Sequence, residues 1–315
     1  MSAEELDTLA HLYTEGRNPR TTDLDTLGTN ELLELMNRED QRVALAVREV
    51  LPQIAAAVEL VVEARRRGGR LIYLGAGTSG RIGLLDAVEC PPTFGTDPGE
   101  VLGLIAGGEH AFVRAVEGAE DDAGHAVRVL DAVEVGEADV VVGLAASGRT
   151  PYVIGGLRHA RARGAATVAV SCNPDAQISR EADVVIEVLT GPEVLTGSTR
   201  LKAGTAQKLM CNMISTASMV RTGKAYRNLM VDVRPTNAKL VDRAQRIVAV
   251  AAEVERDEAK TALARAGGHA KTAIVMLLAG CNAVRAAELL EAAGGDVRTA
   301  VALDPPTTTE KKTPR

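Results

Sequence analysis

The chain has no tryptophan, two phenylalanines and four tyrosines in 315 residues, which leaves few rings on which bases, sugars or peptides stack. Recognition has to lean on polar loops. Cysteine is equally scarce: Cys90, Cys172, Cys211 and Cys281 stand far apart with no C-x-x-C among them, so the spacing supports neither a zinc site nor a disulfide framework. Lone thiols fit a reducing cytosol. Five histidines, His11, His110, His125, His159 and His269, show no ligand spacing such as H-x-x-x-H, and a metal centre is not expected. Thirty-six Lys and Arg against 42 Asp and Glu give a net charge of −6 with no long basic run, which disfavours nucleic acid and anionic membranes as partners. No apolar run approaches the ~20 residues of a bilayer span, and the opening MSAEELDTLAHLY lacks the apolar core of a leader. A cytoplasmic protein is expected.

With 46% hydrophobic and 25% charged residues, the composition is that of an ordinary globular protein able to bury a core. From Thr29 to Arg66 apolar residues recur at helical spacing, through Leu32, Leu33, Met36, Val43, Val47, Ile54, Val58 and Val62. The register then changes. Short apolar runs at 70–74, 101–106, 138–144, 167–171 and 184–188 alternate with helical patterns at 81–87, 111–129 and 151–163, which predicts an α/β fold with a parallel sheet covered on both faces. A long helix is expected from Ser198 or Thr199 to near Gly223, another over 238–264, and three short ones over 267–301. The organisation expected is a helical lead-in at 1–60, a sheet-bearing domain at 61–224, a helical region at 225–301 with a compact bundle at 267–301, and a disordered polar tail at 302–315.

Gly75-Ala-Gly-Thr-Ser-Gly80 follows a predicted strand and opens a predicted helix, matching the letter of a dinucleotide fingerprint. Yet no acidic residue directly ends the next strand to take a ribose. Thr78 and Ser79, with the backbone of Gly77 and Gly80, present hydroxyl and N–H donors at a helix start, the chemistry that holds a phosphomonoester. A second loop of the same kind, Leu144-Ala-Ala-Ser-Gly-Arg-Thr150, places Ser147, Gly148 and Thr150 at the end of another Val-rich strand. One phosphate can use both loops. A third segment, Gly191 to Thr205, groups Glu193, Ser198, Thr199, Arg200 and Lys202 about a helix start, either to hold a polar ligand or with Ser198 or Thr199 as N-cap. Arg17 and Asn18 lie ahead of the core, able to cover a ligand or brace a dimer. Cys90 has no histidine placed to activate it and reads as an inert buried thiol.

GAGTSGR at 75–81, DAVECPPTFG at 86–95, LIAGGE at 104–109, VEGAED at 116–121, AASGRTPYV at 145–153 and GPEVLTGSTRLKAGTAQK at 191–208 together closely resemble the N-acetylmuramic acid 6-phosphate etherases. TEGRNPRT at 14–21 and NLMVDVRPTN at 228–237 extend the likeness across roughly the whole chain. The resemblance implies a sugar isomerase (SIS) α/β sandwich that binds a phosphosugar, a relative of the glucokinase regulatory protein and a homodimer with its site near the subunit interface. It implies cofactor-free cleavage of the lactyl ether, with Glu89 and Glu120 as the acid and base groups: Glu89 assisting departure of lactate, Glu120 moving the C2 proton or activating water. Glu117 is the neighbouring alternative to Glu120, on the same helical face if 111–129 is one helix. A helix unbroken from Gly80 to Glu89 would hold that carboxylate ~14 Å from the phosphate end. The helix must then end or bend early, or Glu89 must serve a site shared with another subunit. The competing readings are a sugar-phosphate isomerase on the same fold, a non-catalytic phosphosugar sensor and a dehydrogenase using NAD.

Overall fold

The computed structural model describes residues 12–233 and 238–305. Two compact units emerge, one formed by the chain up to Glu89 and by Asp97–Ser218, the other by Cys90–Thr96 and the chain from Met219 onward. The helical lead-in expected at 1–60 is therefore part of the unit that carries the sheet. Most of the expected tail, 306–315, lies outside the described residues, and its first two positions still belong to a helix.

Two helices open the first unit, α1 (Thr29–Glu49) and α2 (Leu51–Arg66). The helical lead-in expected over this stretch is two helices that part at Val50, because Pro52 has no N–H to donate and is tolerated in a first turn. Then β1 (Leu71–Gly75), α3 (Gly77–Phe94), β2 (Val101–Ile105) and the short α4 (His110–Val113) follow. Next come α5 (Ala123–Ala132), β3 (Val140–Leu144), α6 (Pro151–Ala162), β4 (Ala166–Ser171), β5 (Val184–Glu187) and α7 (Lys202–Arg221). All five strand positions found in the sequence are strands, and they pair in the order β2-β1-β3-β4-β5, every pair parallel. This is the SIS-type α/β architecture expected. The order reverses at β1, so β2 and β3 flank it, with Gly75 in register with both Ile105 and Leu144. Ligands of open α/β sheets bind beyond the carboxyl ends of the strands at such a switch point.

Helices cover the sheet on both faces. On one, Ile72, Leu74, Val141 and Ala169 pack with Leu130 of α5 and Tyr152, Val153 and Leu157 of α6, all buried. Burial of each such side chain contributes about 1.5–3 kcal/mol. On the other face α3 lies tight on β1: a Cβ at Gly83 would stand 2.7 Å from the Tyr73 Cβ and 3.0 Å from Leu144 Cδ1. Gly83 is what lets the helix sit so low.

One expected helix is not there. The stretch 111–129 divides into α4, an irregular segment and a 3-10 turn at Ala119–Asp121 before α5 starts behind Asp122, whose carboxylate caps the His125 N–H. Gly118 adopts φ +74, left-handed backbone that ends any helix. Glu117 and Glu120 are consequently not on one helical face.

The second unit holds a two-residue hairpin, Ala225–Tyr226 against Leu229–Met230, and five helices: α8 (Ala238–Ala252), α9 (Arg256–Arg265), α10 (Ala270–Ala279), α11 (Ala283–Ala292) and α12 (Val297–Leu303). The helix expected over 238–264 is two, parted where Glu253 takes φ +57. The three short helices expected at 267–301 are α10 to α12. Val248, Ala251, Ile274, Val275, Ala286 and Val297 form their shared core.

Because Tyr73 Cβ cannot retreat without moving its strand, Gly83→Val is expected to lower stability by about 2 kcal/mol through overpacking. A urea titration checks this: the midpoint falls while the slope stays that of the parent.

Candidate active site

The two glycine loops are brought together by the sheet. Gly75–Gly80 follows β1 and Ala145–Thr150 follows β3, adjacent strands at the switch point. In the first loop Gly77 takes φ +55, and Gly80 touches the strand so closely that a Cβ would lie 2.6 Å from the Gly75 carbonyl oxygen. The Gly80 N–H bonds the Ala76 carbonyl, which leaves the N–H groups of Gly77, Thr78 and Ser79 as first-turn donors without a helical acceptor. Exposed Gly77, half-buried Thr78 and buried Ser79 line this turn. In the second loop Gly148 has φ +71, and a Cβ there would come within 2.4 Å of Ala176 Cβ. The Ser147 hydroxyl accepts a long bond from the Arg149 N–H at 3.3 Å, and Thr150 starts α6 without capping it through its side chain. Both loops therefore lie beyond the carboxyl ends of adjacent strands, the first with first-turn N–H groups that lack a helical acceptor, the second with its Gly148 N–H bonded to the Ala145 carbonyl.

Beside the first loop lies a cavity of about 170 Å³ lined by Gly77, Arg81, Val116, Glu117, Gly118 and Glu120, among others. Glu120 and its alternative Glu117 thus both line a cavity that includes the first glycine loop. Glu89 does not. Helix α3 runs unbroken from Gly77 to Phe94, through Pro91 and Pro92, so it does not end early. Glu89 is exposed, nine residues and about 14 Å along the axis beyond Gly80. Its neighbours Leu85 and Val88 are also exposed, at 48% and 53%.

The third segment is placed differently from its sequence expectation. Neither Ser198 nor Thr199 caps α7, which begins at Lys202. Glu193 does so from a distance, its buried carboxylate accepting the N–H groups of Lys202 and Ala203, each at 2.9 Å. Burial pushes the Glu193 carboxyl above the ordinary range, opposed by those two bonds. Ser198 and Thr199 remain half-buried in the preceding loop. Lys202 is wholly buried, and its ammonium donates to Glu39 Oε2 at 3.1 Å and to the Thr190 carbonyl at 3.0 Å. Glu193 and Lys202, expected to meet a ligand, are thus both buried with their polar groups engaged inside the protein.

Glu39 was not singled out from the sequence. It is 2% exposed and accepts from Arg20, from the Asn18 amide at 2.8 Å and from Lys202. The Arg20 bonds hold its carboxyl at about 2 against burial, which pushes it up, with Asn18 and Lys202 adding to the effect. A signal was present: Leu35, Glu39, Val43 and Val47 form the buried i, i+4 stripe of α1, and an acid in such a stripe requires a buried partner. Asn18 is buried within this cluster and also bonds the Pro192 carbonyl, while Arg17 is exposed. Asp86 was likewise passed over. It is buried on α3 and accepts from the Tyr73 hydroxyl at 2.9 Å, the Asn212 amide at 2.6 Å and the Ser215 hydroxyl at 3.2 Å, fixing α3 to β1 and α7.

Cys90, Cys172 and Cys211 are buried, and burial pushes the Cys172 thiol to about 12. Among the described residues no three His, Cys, Asp or Glu side chains converge on a point a metal would occupy, and no single helix is long and apolar enough to cross a membrane.

The sheet order and paired glycine loops define a SIS-type phosphosugar fold, and the chain matches two families of that class: the glucokinase regulatory protein N-terminal SIS domain over residues 53–161 and the SIS domain over 124–217. A phosphoheptose isomerase from Neisseria gonorrhoeae overlays at a TM-score of 0.45 with 19% identity, covering 59% of this chain and 99% of that one. Relatives in sequence are much nearer. N-acetylmuramic acid 6-phosphate etherase of Mycolicibacterium smegmatis is 69% identical over 293 residues, 93% of this chain and 98% of the relative. The protein of that name from Cutibacterium acnes is 59% identical over 94% and 98% of the two chains, and that of Photorhabdus laumondii 54% over 93% and 97%. The chain belongs to the N-acetylmuramic acid 6-phosphate etherase family.

Glu39→Gln leaves the Lys202 ammonium buried opposite a neutral amide and is expected to cost about 3–5 kcal/mol. The folded-state carboxyl ionises below its unfolded value, so its contribution is complete above the ordinary carboxylate range and drains away as pH falls toward about 2. Melting temperature against pH checks both points: the parent loses stability over that acid range, and the glutamine variant starts lower with a shallower loss.

Proposed function

We propose that this enzyme cleaves the lactyl ether of N-acetylmuramic acid 6-phosphate to D-lactate and N-acetylglucosamine 6-phosphate. The carrying observation is the meeting, at one switch point, of two glycine loops and a glutamate-lined cavity in a chain of the etherase family. The 6-phosphate sits between Gly77–Gly80 and Ser147–Thr150, held by backbone N–H groups and by the Thr78, Ser79, Ser147 and Thr150 hydroxyls. Glu193, Ser198 and Lys202 shape the wall behind it.

The chemistry follows from the substrate. Ring opening creates an aldehyde at C1, which acidifies the C2 proton and makes the C3 ether a β leaving group. A base takes the C2 proton, the C3–O bond breaks, and lactate departs with a proton from an acid. Water then adds across the C2–C3 double bond, hydroxyl to C3 and proton to C2. Two glutamates able to give and take protons serve all of these steps, and none calls for a redox or electrophilic cofactor. Glu120 handles the C2 proton and the returning water, beside the phosphate loop of its own chain. Glu89 assists departure of lactate.

Because α3 is continuous, Glu89 cannot approach the loop at the start of its own helix. We place it in the site of a second copy, with exposed Leu85 and Val88 beside it in the contact between subunits of a homodimer. The cavity at Glu120 supports this: about 170 Å³ is below the ~300–1,000 Å³ that encloses a drug-sized ligand, so one chain surrounds only part of a hexose 6-phosphate. Four free cysteines, three of them buried, fit a reducing compartment, which supports a cytoplasmic location.

Chelator-treated protein given the substrate and no cofactor is expected to release D-lactate at a catalytic rate. Bound sugar phosphate without lactate would instead make the chain a sensor. Glu89→Ala and Glu120→Ala are each expected to be inactive. Refolded together they regain activity, since one site in each mixed dimer then holds both carboxylates; no recovery would put both in one chain. Ser79→Ala or Ser147→Ala should weaken hexose 6-phosphate binding by ~1.5–3 kcal/mol per lost donor, read by calorimetry.

A further inference from the structure

The geometry points to Arg81 as the residue that positions the Glu120 segment, coupling the phosphate loop to the acid–base group. Arg81 is the second residue after the Thr78-Ser79 pair, in the first turns of α3, and lines the same cavity as Glu117 and Glu120. Its guanidinium donates from Nε to the Phe112 carbonyl at 3.0 Å and from Nη2 to the Ala111 carbonyl at 2.7 Å. These are two successive carbonyls of the four-residue helix α4, which three residues separate from the Glu117–Glu120 segment. A planar fork suits two adjacent acceptors; an ammonium would serve them singly.

The segment has little else to hold it. Phe112 is 41% exposed, Val113 80% and Val116 46%; of this stretch Ala111 is buried and Ala119, beside Glu120, is partly buried against the core. Its backbone bonds are local ones: Ala111 to Gly108, Phe112 to Glu109, Arg114 to His110 and Asp121 to Gly118. Close packing occurs at Gly107, where a Cβ would meet Val116 and Ala111 at 3.0 and 3.2 Å. A stretch with few buried contacts and local bonds alone opens at low free-energy cost. The Arg81 fork ties it to α3, whose first turn carries the phosphate donors. A carboxylate displaced by an ångström loses rate steeply, so Arg81 acts on turnover through Glu120 rather than on affinity.

This inference rests on the proposed roles of Glu120 and the phosphate loop, and the experiment separates the two. Lactate release is measured for the parent, Arg81→Met, Arg81→Lys and Glu120→Gln, with affinity for N-acetylglucosamine 6-phosphate by calorimetry and hydrogen exchange by mass spectrometry. For Arg81→Met the expected result is a kcat lowered about 10- to 100-fold, an affinity within twofold of the parent, and faster exchange confined to 109–121. Arg81→Lys, which keeps one donor and guards against a misfolded methionine variant, should show the same split at smaller amplitude. A folded Arg81→Met with parental kcat overturns the inference, as does a loss of affinity in step with kcat, which would make Arg81 a phosphate ligand. Parental turnover by Glu120→Gln would overturn the role of Glu120 itself, and with it the inference.

Discussion

A lysine with no exposed surface bonded to a glutamate with almost none is the constraint on which the first unit depends. Neither charge is tolerable alone in that place, so the Lys202–Glu39 pair fixes where the start of α7 lies against the middle of α1. The remaining valences then recruit the chain around them. Arg20 and Asn18 complete the carboxylate, and Asn18 also bonds the Pro192 carbonyl. Thr21 reaches the Val194 carbonyl, and Thr14 exchanges bonds with Asn173, whose amide also donates to Ala146 in the second glycine loop. A strap of eight residues, 14–21, thereby fastens two loops of this unit directly and the second glycine loop through Asn173. Loops at such an edge would otherwise be the most mobile part of the fold.

A second polar cluster does the corresponding work on the other side of the helix layer. Asp86 draws the Tyr73 hydroxyl, the Asn212 amide and the Ser215 hydroxyl to one carboxylate, so β1, α3 and α7 are set relative to one another by hydrogen bonds whose directions are fixed. Apolar packing alone would leave α3 free to slide. With Gly80 and Gly83 letting it lie low on β1, the start of α3 is held where its donors face the sheet edge.

Much of this was legible in the sequence. The short apolar runs correspond to all five strands, and the two hydroxyl-bearing turns fall at the switch point because the loops after β1 and β3 are neighbours in any sheet of this order. What escaped was non-local or broke a pattern. Periodicity carried a helix across 111–129, since nothing in a window average registers that Gly118 is left-handed. The helical pattern at 81–87 under-reads α3, which continues through Pro91 and Pro92 to Phe94. The helix start was assigned to Ser198 or Thr199 by proximity, whereas the acceptor is Glu193, nine residues before Lys202. Glu39 and Lys202 each lie in an apolar stripe, and only their pairing makes sense of either.

The partners in that pair are 163 residues apart in the chain. During synthesis at ~5–20 residues per second, α1 leaves the ribosome on the order of ten to thirty seconds before the lysine that neutralises it. Throughout that interval Glu39 has Arg20 and Asn18, both earlier in the chain, to bond its carboxylate. Lys202 is the last member of the cluster to be made, so the start of α7 closes a site whose other charged and amide members are already in the chain.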